Sequence, residues 1–152
     1  MANAAVRRPA PSGLYDQDFH EWTQEQARAL RERRFADLDI ENIAEELETL
    51  GRRERSEIRS RLKVLLTHLL KWRYQPDKRS NSWRGTLEEQ RYRLKENLGE
   101  NPSLRSYPAQ ILAHEYKFAR YHAADETGLP LEHFPETCPF SLEDILSDSL
   151  PH

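Results

Sequence analysis

The chain has 152 residues, of which 37% are hydrophobic and 32% are charged, with 23 Lys and Arg against 26 Asp and Glu. This length fits a single domain, and the apolar share is sufficient for a core. No run approaches the roughly 20 apolar residues that span a bilayer, and the N-terminus lacks an apolar secretory signal. We therefore expect a soluble, cytoplasmic protein. The single cysteine, Cys138, excludes an internal disulfide and a multi-cysteine metal site.

The N-terminal part predicts a leader followed by a helix. Residues 1–13 have no apolar period and end in Pro, Ser and Gly, which predicts a disordered leader before one domain over residues 14–152. Asp16 can cap the first helix. Its predicted inner face repeats at spacings of three and four and consists of Phe19, Trp22, Gln26, Ala29 and Leu30.

Two apolar stripes follow along the chain. The first starts near Asp37 or Asp39 and consists of Ile40, Ile43, Ala44, Leu47 and Leu50. Gly51 then either caps this helix or lies inside one longer helix, and the sequence leaves both alternatives open. The second stripe ends before Pro76, is expected to be the most buried segment, and consists of Ile58, Leu62, Leu65, Leu69 and Trp72.

The C-terminal half predicts further helices and an irregular segment. Residues 75–85 have loop composition, and Thr86 with Glu89 forms a capping-box pattern for the next helix. Pro108 can open another helix, and Ser141 a last short one. Residues 129–140 contain three prolines and predict a proline-rich strap. No segment alternates with period two, so the predicted fold is all-α, a single compact bundle-like domain of five to seven helices.

The net charge of −3 is the sum of an acidic block, a basic block and a second acidic block along the chain. Residues 1–51 carry 6 basic against 11 acidic residues, residues 52–95 carry 14 against 5, and residues 96–152 carry 3 against 10. The basic block favours contact with nucleic-acid phosphates in one interpretation. In the other, it pairs with the acidic flanks inside the fold or across a dimer.

The stretch from Arg73 to Arg84 concentrates side chains that could bind a ligand. Guanidinium groups match phosphate or carboxylate oxygens, and an indole can stack on a base. The candidate ligand-binding residues are Arg73, Lys78, Arg79, Ser82, Trp83 and Arg84. The alternative is structural: the aromatic residues fill the core, and the polar residues cap helix ends.

Candidate catalytic residues are few. His68 lies on the most apolar helix and could serve as a general base, with Glu45 and Arg79 converging on it beneath the 75–85 loop. The sequence contains no H-E-x-x-H, C-x-x-C, Gly-rich phosphate loop or G-x-S-x-G pattern, so it predicts no metal site and no cofactor. Whether the protein is an enzyme stays open.

Several short sequence motifs resemble those of a known family. They are Y-D-x-D-F-x-x-W from Tyr15, D-x-E-N-I-A-E-E-L-E from Asp39, S-R-L-K-V-L-L-T-H-L-L-K-W from Ser60 and Q-P-D-K-R-S-N-S-W from Gln75. With E-T-G-L-P and C-P-F near the end, they resemble the bacterial family called domain of unknown function twenty-nine. The resemblance implies a compact, all-helical, cytoplasmic bacterial protein. It implies no activity and no catalytic residues.

Three functional hypotheses remain. The first is a non-enzymatic protein-binding or adaptor module, acting on a protein partner or as a homodimer, which abundant charge and helical faces favour. The second is a nucleic-acid-associated protein that uses the basic residues of the 52–95 block. The third is an enzyme, a hydrolase or nuclease, with a site of Glu45, His68 and Arg79.

Overall fold

The fold consists of helices and short 3-10 turns. The computed structural model describes residues 13–152, and residues 1–12 of the leader predicted over residues 1–13 lie outside this range. The α-helices are α1 Leu14–Gln17, α2 Phe19–Arg31, α3 Ile40–Tyr74, α4 Asn81–Glu100, α5 Tyr107–Thr127 and α6 Leu142–Leu146. Residues 13–152 contain no β-strand, which confirms the all-α fold class. None of the helices described has the length and apolarity needed to cross a membrane.

The chain divides into two compact units, Met1–Arg52 and Arg53–His152. Helix α3 runs through the boundary, so residues 40–52 of this helix belong to the first unit and residues 53–74 to the second. Gly51 lies inside α3 and does not end it. The prediction that residues 14–152 form one domain stays a prediction.

In the first unit, α2 begins at a different residue from the predicted one. Asp18, not Asp16, is its N-cap, and the Asp18 carboxylate accepts a hydrogen bond from the Glu21 amide at 2.9 Å. Asp16 lies inside the separate short helix α1. The two acidic residues are equally good caps by type, and the extra turn of α1 determines which one lies at the start of α2.

The predicted inner face of α2 is only partly buried. Trp22 and Ala29 are buried, whereas Phe19 and Leu30 are about half exposed. The Trp22 indole donates a hydrogen bond to Asp39 Oδ2 at 3.1 Å, which connects α2 to the start of α3. Because the polar end of Trp22 has an acceptor, the large ring can be buried without an unpaired N–H group.

The second unit contains a continuous hydrophobic core. The predicted stripe of α3 is confirmed as its most buried segment: Ile58, Leu62, Leu65 and Leu69 are at most 1% exposed. Trp72 is half-buried and packs against this core. Leu87 and Leu94 of α4, Tyr116, Ala119 and Ala123 of α5, and Ile145 of α6 complete the packing. The second unit is therefore a helical bundle around the C-terminal part of α3.

Helix α4 starts earlier than the capping-box pattern predicts. Its N-cap is Ser80, whose hydroxyl accepts a hydrogen bond from the Trp83 amide at 3.2 Å. The predicted loop over residues 75–85 is therefore wrong from residue 81 onward. Thr86 lies in the second turn and donates its hydroxyl hydrogen bond back to the Ser82 carbonyl at 3.1 Å. Ser80 is extended and its side chain can reach the amide three residues on, so it caps the helix.

The proline-rich segment 129–140 contains a 3-10 turn, Leu131–His133, and is otherwise irregular. Phe134 and Phe140 are buried in the core of the second unit. The Tyr116 hydroxyl donates to the Pro135 carbonyl at 2.5 Å, and Arg120 Nε donates to the Phe134 carbonyl at 2.9 Å. These bonds supply donors to main-chain carbonyls that lie outside regular secondary structure and so have no partner in a helix or strand.

Candidate functional site

Several of the predicted ligand-binding residues make contacts within the second unit. Arg79 Nε donates to the Trp72 carbonyl at 2.8 Å, and the Arg79 guanidinium carbon lies 4.9 Å from the centre of the Trp72 ring. Arg79 thereby satisfies a carbonyl in the last turn of α3, which has no partner inside the helix. The acceptor of this Arg79 bond is the protein's own main chain.

Trp83 stacks against a buried lysine. Lys71 is 7% exposed, its Nζ lies 4.6 Å from the centre of the Trp83 ring, and it forms an ion pair with Glu126 Oε2 at 2.7 Å. The indole face and the carboxylate together replace the water that a buried ammonium loses. Trp83 is therefore occupied by an internal cation.

The remaining residues of this stretch lie on the surface of the second unit. Ser82 and Arg84 lie in the first turn of α4, and Lys78 ends the short 3-10 turn Pro76–Lys78. Arg84 Nε is 4.0 Å from Glu88 Oε1, an exposed pair that contributes little to stability. Arg73 differs from these residues, because it lines a cavity of about 300 Å³ together with Arg91.

His68 lines a separate cavity of about 250 Å³ in the second unit. The other lining residues are Lys63, Val64, Thr67, His122 and Glu126. His68 Nδ1 is 2.9 Å from the Val64 carbonyl, and because a carbonyl only accepts, Nδ1 carries the hydrogen. Burial lowers the pKa of His68, and the nearby Lys71 ammonium lowers it further against the opposing effect of the Val64 carbonyl. The neutral ring then retains a lone pair on Nε2.

This cavity brings together groups that the sequence pattern did not connect. His122 and Glu126 come from α5, some 55 residues after His68 and Lys71 on α3, so no local spacing could reveal them. Within residues 13–152 no group of three His, Cys, Asp or Glu side chains could hold a metal ion. A neutral imidazole beside a carboxylate can exchange a proton with a bound molecule.

Glu45 lies in the first unit, on the N-terminal part of α3. Its carboxylate accepts a hydrogen bond from Arg52 Nη2 at 3.3 Å, and both side chains are exposed. Within the second unit, His68 lines its cavity and Arg79 binds the Trp72 carbonyl. The convergence of Glu45, His68 and Arg79 on one enzyme site stays a prediction.

Basic residues of the 52–95 block form ion pairs within the second unit, among them two with the acidic C-terminal block and one with a glutamate of the basic block itself. Lys95 pairs with Asp148 at 2.8 Å, Lys71 with Glu126 at 2.7 Å, and Arg61 with Glu57 at 2.8 Å. Pairing between the basic middle and the acidic C-terminal block is one of the two interpretations that the sequence allows. The nucleic-acid hypothesis stays a prediction.

The first unit carries an apolar surface along the first predicted stripe of α3. Ile40, Leu47 and Leu50 are 60%, 63% and 53% exposed. At about 100° per residue, these three side chains and Ala44 lie within about 120° on one side of α3. We call these four residues the apolar row. All four of these residues are exposed.

Comparison with known proteins places the chain in a family without adding an activity. No curated protein matches it, and no solved structure matches it either. One family profile, described as "Domain of unknown function DUF29", matches residues 14–150, which is nearly the entire chain. The chain therefore belongs to the DUF29 family, as the sequence motifs had indicated.

Proposed function

We propose that the protein is a non-enzymatic protein-binding module and that the apolar row of α3 is its docking surface. The observation that carries this proposal is the exposure of Ile40, Leu47 and Leu50, each more than half accessible on one side of one helix. Single exposed apolar residues are normal, but a contiguous row of large aliphatic side chains is typical of an interaction site.

The spacing of the row suits a partner helix. Three residues of the row, Ile40, Leu47 and Leu50, form a series with the half-buried Ile43 beside them. The intervals in this series are three, four and three residues, which is the alternation at the core positions of a coiled coil. Burying a whole Leu or Ile side chain contributes about 1.5–3 kcal/mol. Covering three half-exposed side chains would contribute roughly 3–4 kcal/mol before the entropy of association is subtracted.

The charged residues beside the row determine which kind of partner helix could bind there. Glu41 and Glu48 flank the row on one side and Glu46 lies beyond its other edge, by the same helical geometry. Residues 1–51 carry 6 basic and 11 acidic residues, a net charge of −5. A second copy docked on this face would bring two acidic surfaces together, which is unfavourable. The occupant is therefore an amphipathic helix of another protein, with Leu or Ile at its core positions and Lys or Arg beside them.

Designed helices test this occupant directly. Two synthetic helices of about 28 residues share Leu at the core positions, one with Lys and one with Glu at the flanking positions. We expect the Lys helix to bind the full chain, with an affinity that falls as salt rises, and the Glu helix to bind at least about tenfold more weakly. Fluorescence anisotropy measures both affinities. Equal binding of the two helices would contradict the charge argument.

Paired co-purification from the native host tests the docking surface. Leu47→Asp should lose a partner that the unmodified chain retains, because it places a carboxylate in the centre of the row. Tyr92→Asp is the matched control, since Tyr92 is 61% exposed on α4 in the second unit. A partner that both variants retain, or that both lose, would contradict the assignment of the row as docking surface.

A further inference from the structure

A buried arginine of the second unit has main-chain acceptors but no carboxylate acceptor. Arg91 is 3% exposed, and its guanidinium donates to the carbonyls of Ile145 at 2.9 Å, Ser149 at 2.7 Å and Asp144 at 3.1 Å. A guanidinium has five N–H groups, so these bonds leave two for another acceptor. Carbonyl oxygens accept the hydrogen bonds of the guanidinium, but their dipoles do not neutralise its full positive charge.

The acidic side chain whose charge raises the pKa of Arg91, that of Asp148, already has a partner. Asp148 Oδ1 lies 2.8 Å from Lys95 Nζ, and the pKa of Asp148 is lowered chiefly by this bond. Burial lowers the pKa of Arg91, and the charge of Asp148 opposes that shift only in part. The buried guanidinium is therefore incompletely compensated by negative charge from the second unit.

A second guanidinium lines the same cavity. Arg73, on the last turn of α3, has its guanidinium carbon 5.6 Å from the centre of the Phe140 ring and 5.8 Å from that of Tyr74. It has no ion pair with a carboxylate among residues 13–152. Asp144 supplies the only acidic side chain among the described lining residues, and its bond to Arg91 comes from its main-chain carbonyl.

The remainder of the cavity is mostly apolar. Its volume is about 300 Å³, and beside the two arginines, Asp144, Ser149 and His152 it is lined by Leu69, Pro139, Phe140, Leu150 and Pro151. A cavity of this size admits a small organic molecule, and mostly apolar walls with a few polar groups are typical of such sites. Among the lining side chains, two guanidinium groups and one carboxylate could orient a ligand by their charge.

We propose that this cavity binds a small organic anion, with an apolar body against Phe140 and Leu150 and an oxyanion head between Arg73 and Arg91. Planar guanidinium groups bind the oxygens of carboxylate or phosphate through paired hydrogen bonds. The head group supplies the negative charge that Arg91 lacks. This site is independent of the apolar row, which lies in the other unit.

Three probes with the same phenyl ring test whether the anionic head group is required for binding. They are benzoate, phenyl phosphate and neutral benzyl alcohol. We expect at least one of the anions to bind the full chain with a Kd in the millimolar range or tighter, and benzyl alcohol to bind at least about tenfold more weakly. Titration calorimetry measures the affinities, and amide chemical shifts locate the site at Phe140 and Leu150. Binding of one anion alone supports the site and identifies its head group.

Variants connect the binding to the arginines. Arg73→Gln should weaken anion binding about tenfold without unfolding the chain, because Arg73 is exposed and has no ion-pair partner among residues 13–152. Arg105→Gln, which removes an equal charge from an exposed position of the same unit, should leave the affinity unchanged. The proposal is overturned if neither anion saturates a site by about 10 mM, if benzyl alcohol binds equally well, or if the two variants have the same effect.

Discussion

Lys71 Nζ and Glu126 Oε2 lie 2.7 Å apart and connect α3 to α5, 55 residues later in the chain. The two ends of this ion pair are unequal, since the Lys71 side chain is 9% exposed and that of Glu126 is 44% exposed. Removing the carboxylate leaves a buried ammonium, whereas removing the ammonium leaves a carboxylate that water can reach.

We therefore predict that Glu126→Gln destabilises the protein more than Lys71→Met. The expected difference in the free energy of unfolding is about 1–2 kcal/mol, less than for a fully buried pair because Glu126 is partly solvated. Urea denaturation of both single variants and of the double variant forms a double-mutant cycle, which gives the interaction free energy of the ion pair. Equal losses for the two single variants would show that Lys71 is hydrated in solution.

The burial of His68 predicts a pH dependence. Burial lowers the pKa of His68, so between the ordinary histidine value of about 6.5 and the lower folded value the unfolded chain binds more protons than the folded chain. Stability from the neutral ring is therefore complete above about pH 6.5 and is lost as the pH falls through that window. We expect the stability difference between wild type and His68→Gln to shrink from pH 7.5 to pH 5, measured by urea denaturation. A difference that grows on acidification would contradict this sign.

The interior position of Gly51 predicts a stabilising substitution. A Cβ atom on Gly51 meets no atom within 4 Å, so Gly51→Ala should raise the free energy of unfolding by about 1 kcal/mol. Gly128→Ala is the contrasting variant, because Gly128 follows α5 with φ of 71°, a left-handed conformation that alanine adopts with strain. Thermal unfolding measures both. Destabilisation by Gly51→Ala would indicate that α3 is interrupted there.

Arg91 is predicted to be indispensable to the C-terminal part of the chain. Arg91→Met removes three hydrogen bonds to carbonyls of residues 144, 145 and 149, and we expect a loss of about 2–4 kcal/mol. Arg91→Lys should restore little of this, because an ammonium cannot reproduce the planar fork that spans the three acceptors. Denaturation monitored by tryptophan fluorescence measures both variants. Full rescue by lysine would show that charge alone is required.

The start of α4 distinguishes two serines of the predicted ligand-binding stretch. Ser80→Ala removes the N-cap bond to the Trp83 amide and should cost about 1 kcal/mol. Ser82→Ala should stay within about 0.5 kcal/mol, since the Ser82 side chain is exposed and its carbonyl, which accepts from Thr86, is unchanged. Thermal unfolding compares the two. Equal costs would contradict Ser80 as the cap.

The sequence predicted the helices and the main core because both depend on local periodicity. The spacing of Ile58, Leu62, Leu65 and Leu69 identifies one face of α3, and that face is buried in the second unit. The same periodicity around Leu47 identified a face equally well but could not show whether anything covers it. The spacing of apolar residues shows which side of a helix they share, but whether that side is buried depends on another element packing against it.

The candidate sites were less predictable because their parts come from distant segments. His68 and Arg73 were identified by residue type, but the groups beside them, His122 on α5 and Arg91 on α4, carry no local signal. The carbonyls that bind Arg91 lie 53–58 residues after it in the chain. The role of Trp83 was likewise hidden, since its partner Lys71 is identified only by folding.

The central claim is that the apolar row of α3 is a surface of the free protein and not part of its core. The most direct test is the free energy of unfolding of Leu47→Asp, compared with Leu65→Asp in the core of the second unit. The account predicts a change within about 0.5 kcal/mol for Leu47→Asp, against a loss of at least about 3 kcal/mol for Leu65→Asp. A loss of about 3 kcal/mol for Leu47→Asp would place the row inside a core and contradict the proposed docking surface.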